Sequence, residues 1–408
     1  METGFQLLLK DQTMASAKLN IANNPFTAGH GKVPPFLAGR EDDKHKLYEL
    51  LGRTIGGEVV TSNLYIFAPR GMGKTSLLEQ VGKELKSLNR DKGKSAVIMT
   101  AVNAMQTVEE ARKTLIDDIG ISFRNSLLPE KVIADLNILS AQWSAKEKSW
   151  SSVCGYLAEK CRKRPVVFMV DEAHRLSPDV LAAVVDDIEM IRRKDGPVVG
   201  VFAGKPLLLD VIGEAGVSYE ERSDYISLDL LNDRDSAAAI EYPMSTSSIK
   251  ITRSAMNQVV EDAQGYPTYL QYWGSELWKL GIEKTGQNVI GEADVALVRP
   301  EISKRKQLAD QSRFDRWSKE DSRLLVSLTE RLRDIGGVNR LCMEEMIEEE
   351  LERQGRNIVE TDRIFRKMIE TDYVWSPLGT TNYKAALPSY FSFILGQEME
   401  RAAQQKSA

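Results

Sequence analysis

The 408-residue sequence predicts a three-layer α/β core with a parallel sheet, then an all-helical segment and a C-terminal winged-helix module. The core is indicated by short apolar runs that alternate with helical patterns over residues 33–232, as in parallel sheets covered by helices. Residues 233–298 show helical periodicity throughout. Residues 318–408 combine three helical patterns with a turn between two short aromatic segments.

The strands and helices of the core can be placed along the chain from their periodicity. We predict strands at 64–67, 96–101, 166–170, 198–203 and 225–228, and helices at 44–51, from 76 onward, and at 106–124, 126–163 and 177–193. Residues 1–32 are predicted to form an irregular arm, and the charged residues 299–317 a linker to the C-terminal module. We call residues 233–298 the lid.

A glycine-bearing loop follows the first strand. Residues 68–75, here called the cradle, have the Walker A spacing with Ala68 in place of the first glycine. Glycines let successive backbone N–H groups turn toward one anion, and the helix that follows adds its positive end. Lys74 is expected to reach the β- and γ-phosphates of ATP, and the Thr75 hydroxyl to bind Mg²⁺. The predicted nucleotide contacts are Ala68, Pro69, Arg70, Gly71, Met72, Gly73, Lys74, Thr75 and Ser76.

Two carboxylates end the predicted strand 166–170. Because this strand is apolar throughout, it reads as a central strand with both faces covered. Asp171 is expected to hold Mg²⁺, and Glu172 to polarise the attacking water as a general base. A strand between the cradle strand and this one indicates the P-loop ATPases that carry a catalytic glutamate. We call Asp171 and Glu172 the carboxylate pair; either residue alone could instead be a helix cap.

The letters DEAH at 171–174 also occur in helicases, which need a second motor domain. No second set of strands follows residue 235. We therefore expect a single ATPase core, in which His174 is a helix-start residue.

Composition excludes several classes. The 59 acidic residues slightly outnumber the 54 basic ones. The sequence has no basic tail of the kind that binds nucleic acids. The cysteines Cys154, Cys161 and Cys342 show no metal-ligand spacing and no even disulfide set. We predict reduced cysteines in a cytoplasmic protein, with no secretory signal and no membrane-spanning segment.

The sequence resembles the AAA+ and STAND ATPases, and in particular the archaeal-type ATP-binding proteins related to origin-recognition initiators. Three stretches carry the resemblance, which extends from about Asn24 to the C-terminus: Phe36–Glu41, the cradle with its carboxylate pair, and Gly265–Pro267. It implies that Phe36 and Arg40 lie beside the adenine and that Pro267 contacts the nucleotide. A plain helix-breaking turn is the alternative for Gly265–Pro267, and no G-D-x-R motif supplies a lid arginine.

Two basic residues are further candidates. Arg222 stands just before the fifth strand, where related ATPases place an arginine that enters the neighbouring subunit's site; a surface ion pair is the alternative. Such an arginine would join the catalytic set Lys74, Glu172 and Arg222 and make hydrolysis depend on assembly. Lys205 follows the fourth strand, where a polar sensor is expected, and a solvated lysine is equally compatible with the sequence.

The third helix of the C-terminal module carries Thr361, Arg363, Arg366 and Lys367, which suit a DNA groove and its phosphates. Acidic and basic residues nearly cancel after residue 299, so a strong basic field is absent. Contact with double-stranded DNA through 359–384 and docking of a protein both remain open.

The sequence therefore predicts an ATP-binding and ATP-hydrolysing, Mg²⁺-dependent switch. Its nucleotide state would control homo-oligomerisation and the engagement of DNA through the winged helix. The alternative is a STAND-like signalling or defence ATPase that docks a separately encoded protein. A nucleotide-binding module without turnover is disfavoured by Glu172.

Overall fold

The computed structural model describes residues 24–26, 33–90, 96–100, 102–124, 149–217, 223–245, 247, 249–284, 288–333 and 335–407. These residues form two compact units. The sheet unit comprises Arg40–Asp229 and Gln307–Ala408, and the lid unit comprises Leu230–Lys306 with the residues up to Gly39. Most of the predicted arm, Arg222, and much of the helix predicted at 126–163 lie outside the described residues.

The sheet unit contains the five-stranded parallel sheet that the sequence predicted. Its strands are β1 (Asn63–Phe67), β2 (Ala96–Thr100), β3 (Val166–Val170), β4 (Val198–Gly204) and β5 (Ser223–Ser227), in the spatial order β2-β3-β4-β1-β5. Leu64 pairs with Val201 in the β1–β4 register. The strand between the cradle strand β1 and the carboxylate strand β3 is therefore β4, whereas β2 lies at an edge.

Helices cover both faces of this sheet. They are α1 (Glu41–Ile55), α2 (Lys74–Arg90), α3 (Val108–Arg124), α4 (Trp150–Lys163), α5 (Pro178–Arg192) and α6 (Leu208–Ala215). Every residue of β1, β3 and β4 is buried, which explains their continuous apolar sequences. Among the helices that the structure describes, none offers a stretch long and apolar enough to cross a bilayer.

The C-terminal part of the sheet unit is the predicted winged helix. Its elements are α11 (Lys319–Arg333), β8 (Val338–Asn339), α12 (Arg340–Arg353), α13 (Thr361–Glu370), β9 (Val374–Trp375), β10 (Asn382–Ala385) and α14 (Pro388–Ser407). The Ser318 hydroxyl accepts a hydrogen bond from the Asp321 amide at 3.0 Å and so caps the start of α11. The expected two-stranded wing is part of a three-stranded antiparallel sheet, because β8 also pairs with β10.

The lid unit contains α7 (Asp233–Ser245), α8 (Arg253–Ala263), α9 (Pro267–Glu283) and the first part of α10 (Glu292–Phe314). The sequence predicted that the lid is entirely helical, and this prediction was wrong. Strands β6 (Lys250–Ile251) and β7 (Val289–Ile290) form a short parallel pair in it. The described residues of the arm pack on α9. Asn24 donates to the Ser275 hydroxyl at 3.0 Å, and a Cβ at Gly274 would lie 2.2 Å from the Phe26 ring.

The predicted linker at 299–317 is helical as far as Phe314, because α10 continues without interruption from the lid. Its charged residues favour a helix, since they include good helix formers and an i,i+4 pair between Glu301 and Arg305. The boundary between the two units falls inside this helix, after Lys306.

Candidate functional site

The cradle joins the buried strand β1 to helix α2. Gly71 and Gly73 have φ angles of 82° and 96°, a region that favours glycine. The loop can therefore turn its backbone inward at both positions before α2 begins at Lys74. This places the N-terminal end of a 17-residue helix at the cradle.

Lys74 is the buried cation of the cradle. Its side chain turns back over the loop and donates to the Ala68 and Pro69 carbonyls at 2.8 and 3.0 Å. Burial lowers the pKa of the Lys74 ammonium to about 8, although Asp372, Glu172 and Asp171 act to raise it. The site thus holds a poorly hydrated ammonium group, and an added anion would stabilise its charged form.

The carboxylate pair meets the cradle from β3, as predicted. The Thr75 hydroxyl donates to Asp171 Oδ2 at 2.5 Å, although the two residues are 96 positions apart. Asp171 Oδ1 accepts from the Glu172 amide at 2.9 Å. Glu172 has a φ angle of 56°, and about half of its side chain (48%) is exposed. This backbone turns the Glu172 carboxylate out of the core.

Thr75 and Asp171 offer one hydroxyl and one carboxylate to a metal ion. Oxygen donors of this kind suit Mg²⁺, which usually takes one or two protein oxygens and completes its shell with water and phosphates. No group of three or more His, Cys, Asp or Glu side chains in the described parts of the chain could hold a metal. The donor set therefore fits Mg²⁺ brought with a nucleotide.

His174 connects the carboxylate pair to β4, a role that the sequence prediction of a helix-start residue missed. The Lys205 amide donates to His174 Nδ1 at 3.2 Å, so the second ring nitrogen, Nε2, carries the proton of a neutral imidazole. Nε2 lies 3.7 Å from Glu172 Oε2. Burial, with the nearby Lys205 and Lys74, lowers the pKa of His174 to about 4, which keeps the ring neutral.

The end of β4 explains why the expected polar sensor is absent there. A Cβ at Gly204 would lie 3.0 Å from the His174 amide nitrogen, so a side chain at this position would crowd His174. Lys205 follows, and it is not the solvated lysine of the alternative interpretation. Its ammonium group contacts Asp372 Oδ2 at 3.4 Å and the Glu370 carbonyl at 3.0 Å.

Arg40 contacts the cradle backbone. Its guanidinium donates to the Met72 carbonyl at 3.2 Å and to the Asp229 carbonyl at 2.7 Å. The structure thus gives Arg40 a bracing contact on the loop, and its place beside the adenine remains a prediction.

Phe36 and Pro267 belong to the lid unit. The ring of Phe36 lies 4.5 Å from that of Tyr242. Pro267 is the first residue of α9, a position that suits proline. The preceding Gly265 packs so closely that a Cβ would lie 2.2 Å from the Leu231 carbonyl oxygen. These contacts account for the turn structurally, and nucleotide contact by Phe36 and Pro267 remains predicted.

The residues predicted to contact DNA are engaged within the sheet unit. Arg363 donates two hydrogen bonds to Asp321, and Lys367 lies 3.3 Å from the same carboxylate. Thr361 is buried, and Arg366 lies 3.5 Å from Glu214 of α6. The third helix therefore presents less free positive charge than its sequence suggests.

The chain is similar to one sequence family and to several solved structures. Residues 60–212 match the sequence model of the AAA domain. This segment is therefore similar to AAA domains. It contains the cradle, the carboxylate pair and Lys205. No curated protein sequence matches the chain.

The chain also shares its fold with solved structures. The chain is similar to the ORC2 protein of Aeropyrum pernix in ADPNP–ADP complexes, with a TM-score of 0.56 and 13% identity over 93% of this chain and 98% of that one. It is also similar to a Walker-type ATPase of Pyrococcus abyssi, with a TM-score of 0.58 and 15% identity over 88% of this chain and 96% of that one. These likenesses confirm the predicted AAA+-like fold.

Proposed function

We propose that the protein is an ATP-binding and ATP-hydrolysing switch whose winged helix responds to the nucleotide. The observation that carries this proposal is the contact between Thr75 and Asp171 at 2.5 Å, beside a buried lysine and an exposed glutamate. The ORC2 protein of similar fold was solved in ADPNP–ADP complexes, which supports nucleotide binding by this chain.

Each side chain has a defined task in this proposal. Lys74 and the N-terminal end of α2 neutralise phosphate charge, and Thr75 with Asp171 would hold Mg²⁺, which stabilises the charge that develops on the phosphates. Glu172 accepts a proton from the attacking water, for which its half-exposed carboxylate is accessible. His174, kept neutral, orients that carboxylate without neutralising it.

We further propose that the triphosphate state favours a homo-oligomer and that the winged helix is the output element. Duplex DNA at 359–384 is the partner that the sequence suggests, and Arg366, with 62% of its side chain exposed, is the cation best placed for it. Because Arg363 and Lys367 pair with Asp321, the DNA contact would rest on few charges and depend strongly on salt. Docking of a protein is the alternative.

The nucleotide part of the proposal is tested by calorimetric titration of Lys74→Ala with ATP and with ADP. We expect an affinity loss of roughly a hundredfold or more, because a buried charge partner of the phosphates is removed. Lys83→Ala is the matched control, since this lysine lies on the same helix with 67% of its side chain exposed. Equal affinity in the Lys74 variant and the wild type would contradict the cradle assignment.

The partner is tested by anisotropy of a labelled DNA duplex with AMPPNP and with ADP. Binding that needs AMPPNP and is weakened in Arg366→Ala supports DNA as the partner. Absence of binding at low salt with either nucleotide would favour the protein-docking alternative.

A further inference from the structure

Asp372 of the winged helix lies in the cradle. Its Oδ1 accepts from the Arg70 amide at 3.2 Å, and its Oδ2 lies 3.4 Å from the Lys205 ammonium group. The residue is 3% exposed and has a φ angle of 56°. A buried carboxylate from the C-terminal module thus occupies two donors at the proposed phosphate site.

The contacts of Lys205 place Asp372 on the reacting side of the cradle. The Lys205 amide donates to His174, whose second ring nitrogen lies 3.7 Å from Glu172. If Glu172 reaches the water that attacks the terminal phosphate, groups beside Lys205 lie on the side of the cradle where that phosphate would bind. The N–H groups nearer the start of α2 remain for the inner phosphates.

Asp372 is held in place by a well-packed contact between the winged helix and the sheet. Phe67, at the end of β1, forms a buried apolar cluster with Trp375 and Ala386. The Leu378 amide donates to the Ser227 hydroxyl at 2.9 Å, and Lys384 lies 2.6 Å from Asp229. The carboxylate cannot leave the cradle without disturbing these contacts.

We propose that Asp372 determines which nucleotide the site prefers, by standing where the terminal phosphate of a nucleoside triphosphate must bind. This inference rests on the proposed function, and it adds how the site distinguishes di- from triphosphate. A diphosphate leaves the terminal position to Asp372, and the winged helix stays on the sheet. A triphosphate brings a second anion to the Arg70 amide and Lys205, so the carboxylate and its module must move away.

The test compares the affinities of Mg–ADP and Mg–AMPPNP in the wild type and in Asp372→Asn. Asparagine keeps the size of the side chain and tolerates the left-handed backbone, so the variant removes mainly the charge. We expect the preference for AMPPNP over ADP to rise by about tenfold, within the usual range of coupling between two sites. Asp195→Asn, at an exposed aspartate with the same left-handed backbone (φ 59°), is the matched control and should leave this ratio unchanged.

A second measurement follows the module itself by hydrogen exchange. In the wild type, AMPPNP should increase amide exchange in residues 371–386, whereas ADP should not. An equal change in both affinities on Asp372→Asn, or weaker AMPPNP binding alone, would overturn the inference, as would exchange that AMPPNP leaves unchanged. These outcomes differ from failure of the proposed function, in which Lys74→Ala would bind both nucleotides like the wild type.

Discussion

At the residue scale, local sequence predicted most of the geometry of the candidate site, because the cradle is one continuous loop whose glycines and lysine have fixed offsets. The pairing of Thr75 with Asp171 was also predictable, since the ends of parallel strands meet at one edge of the sheet. Asp372 could not be found in this way. It is 302 positions from Arg70, and only the docking of the winged helix brings the two together.

His174 was missed for a different reason. His174 is part of the DEAH motif, but its contact with β4 depends on Lys205, which follows that strand. A helix-start residue and a positioning residue have the same local pattern, and the motif itself was the available signal. The left-handed backbone of Glu172 was not visible in the sequence either, because this conformation is uncommon for a glutamate.

Glu172 supplies the first prediction. Glu172→Gln should bind ATP with nearly wild-type affinity and lower the turnover number by roughly a hundredfold or more, because an amide cannot accept the proton of the attacking water. Phosphate release under single-turnover conditions measures the chemical step directly. Glu189→Gln, a carboxylate of α5 that pairs with Arg193, is the control. Turnover close to that of the wild type would assign the base to another group.

At the element scale, the sheet unit depends on buried ion pairs between its helices. Asp187 of α5 is 1% exposed and accepts from Arg112 of α3 at 2.9 and 3.2 Å, and from the indole of Trp150 at the start of α4. Periodicity could predict the three helices, but it could not predict that one carboxylate joins them.

Asp187→Ala should therefore lower the free energy of unfolding by about 3 kcal/mol, since it leaves a partly buried guanidinium and an indole N–H without their acceptor. Urea unfolding measures the change. Asp186→Ala is the matched control, because its side chain is exposed on the same helix. A loss of unfolding free energy equal to that of the control would mean that Arg112 and Trp150 donate hydrogen bonds to water in the variant.

The helices of the winged helix are joined by Asp321. Burial acts to raise the pKa of the Asp321 carboxyl, but hydrogen bonds from Arg363 and Arg356 hold that pKa well below its ordinary value. Folding thus favours the ionised form of Asp321, which in turn stabilises the folded protein. Its contribution to the free energy of unfolding is fully present above the unfolded pKa of about 4, and it is lost as the pH falls toward the folded pKa.

Asp321→Asn should destabilise the chain at pH 7 by about 2 kcal/mol. The difference from the wild type should narrow as the pH is lowered below about 4, because the Asp321 carboxyl then takes up a proton in the unfolded chain while it stays ionised in the folded protein. Unfolding curves at pH 7, 4 and 3 check both statements. Asp362→Asn, with 81% of the side chain exposed, should match the wild type at each pH. A difference that stays constant with pH would show that charge is not the cause.

At the scale of the whole molecule, the order of elements predicted the parallel sheet and the winged helix. The division of the chain into two units could not be predicted in the same way. The lid unit includes residues 33–39, which sequence spacing assigned to the core. Helix α10 contains the boundary between the units. Such boundaries depend on packing between distant segments, which a local pattern does not record.

Assembly gives the last prediction, which concerns a residue outside the described part of the chain. If Arg222 acts in a neighbour's site, Arg222→Ala should bind ATP normally and hydrolyse it about a thousandfold more slowly. The specific activity of the wild type should rise with protein concentration, and that of the variant should not.

Mixing Arg222→Ala with Glu172→Gln should restore part of the rate, because some mixed interfaces combine an intact arginine with an intact glutamate. Wild-type activity that is independent of concentration, together with no recovery on mixing, would favour a monomeric switch.

The cluster of Phe67, Trp375 and Ala386 also limits how the chain can be recombined with its relatives. A graft that exchanges the winged helix alone would place a foreign side chain against the end of β1 and a foreign turn against the P-loop. Partners for Trp375 and Asp372 would have to be transplanted with it, including Phe67 and Lys205. The C-terminal module therefore cannot be exchanged by itself. Functional chimaeras should require an exchange that includes both sides of this contact.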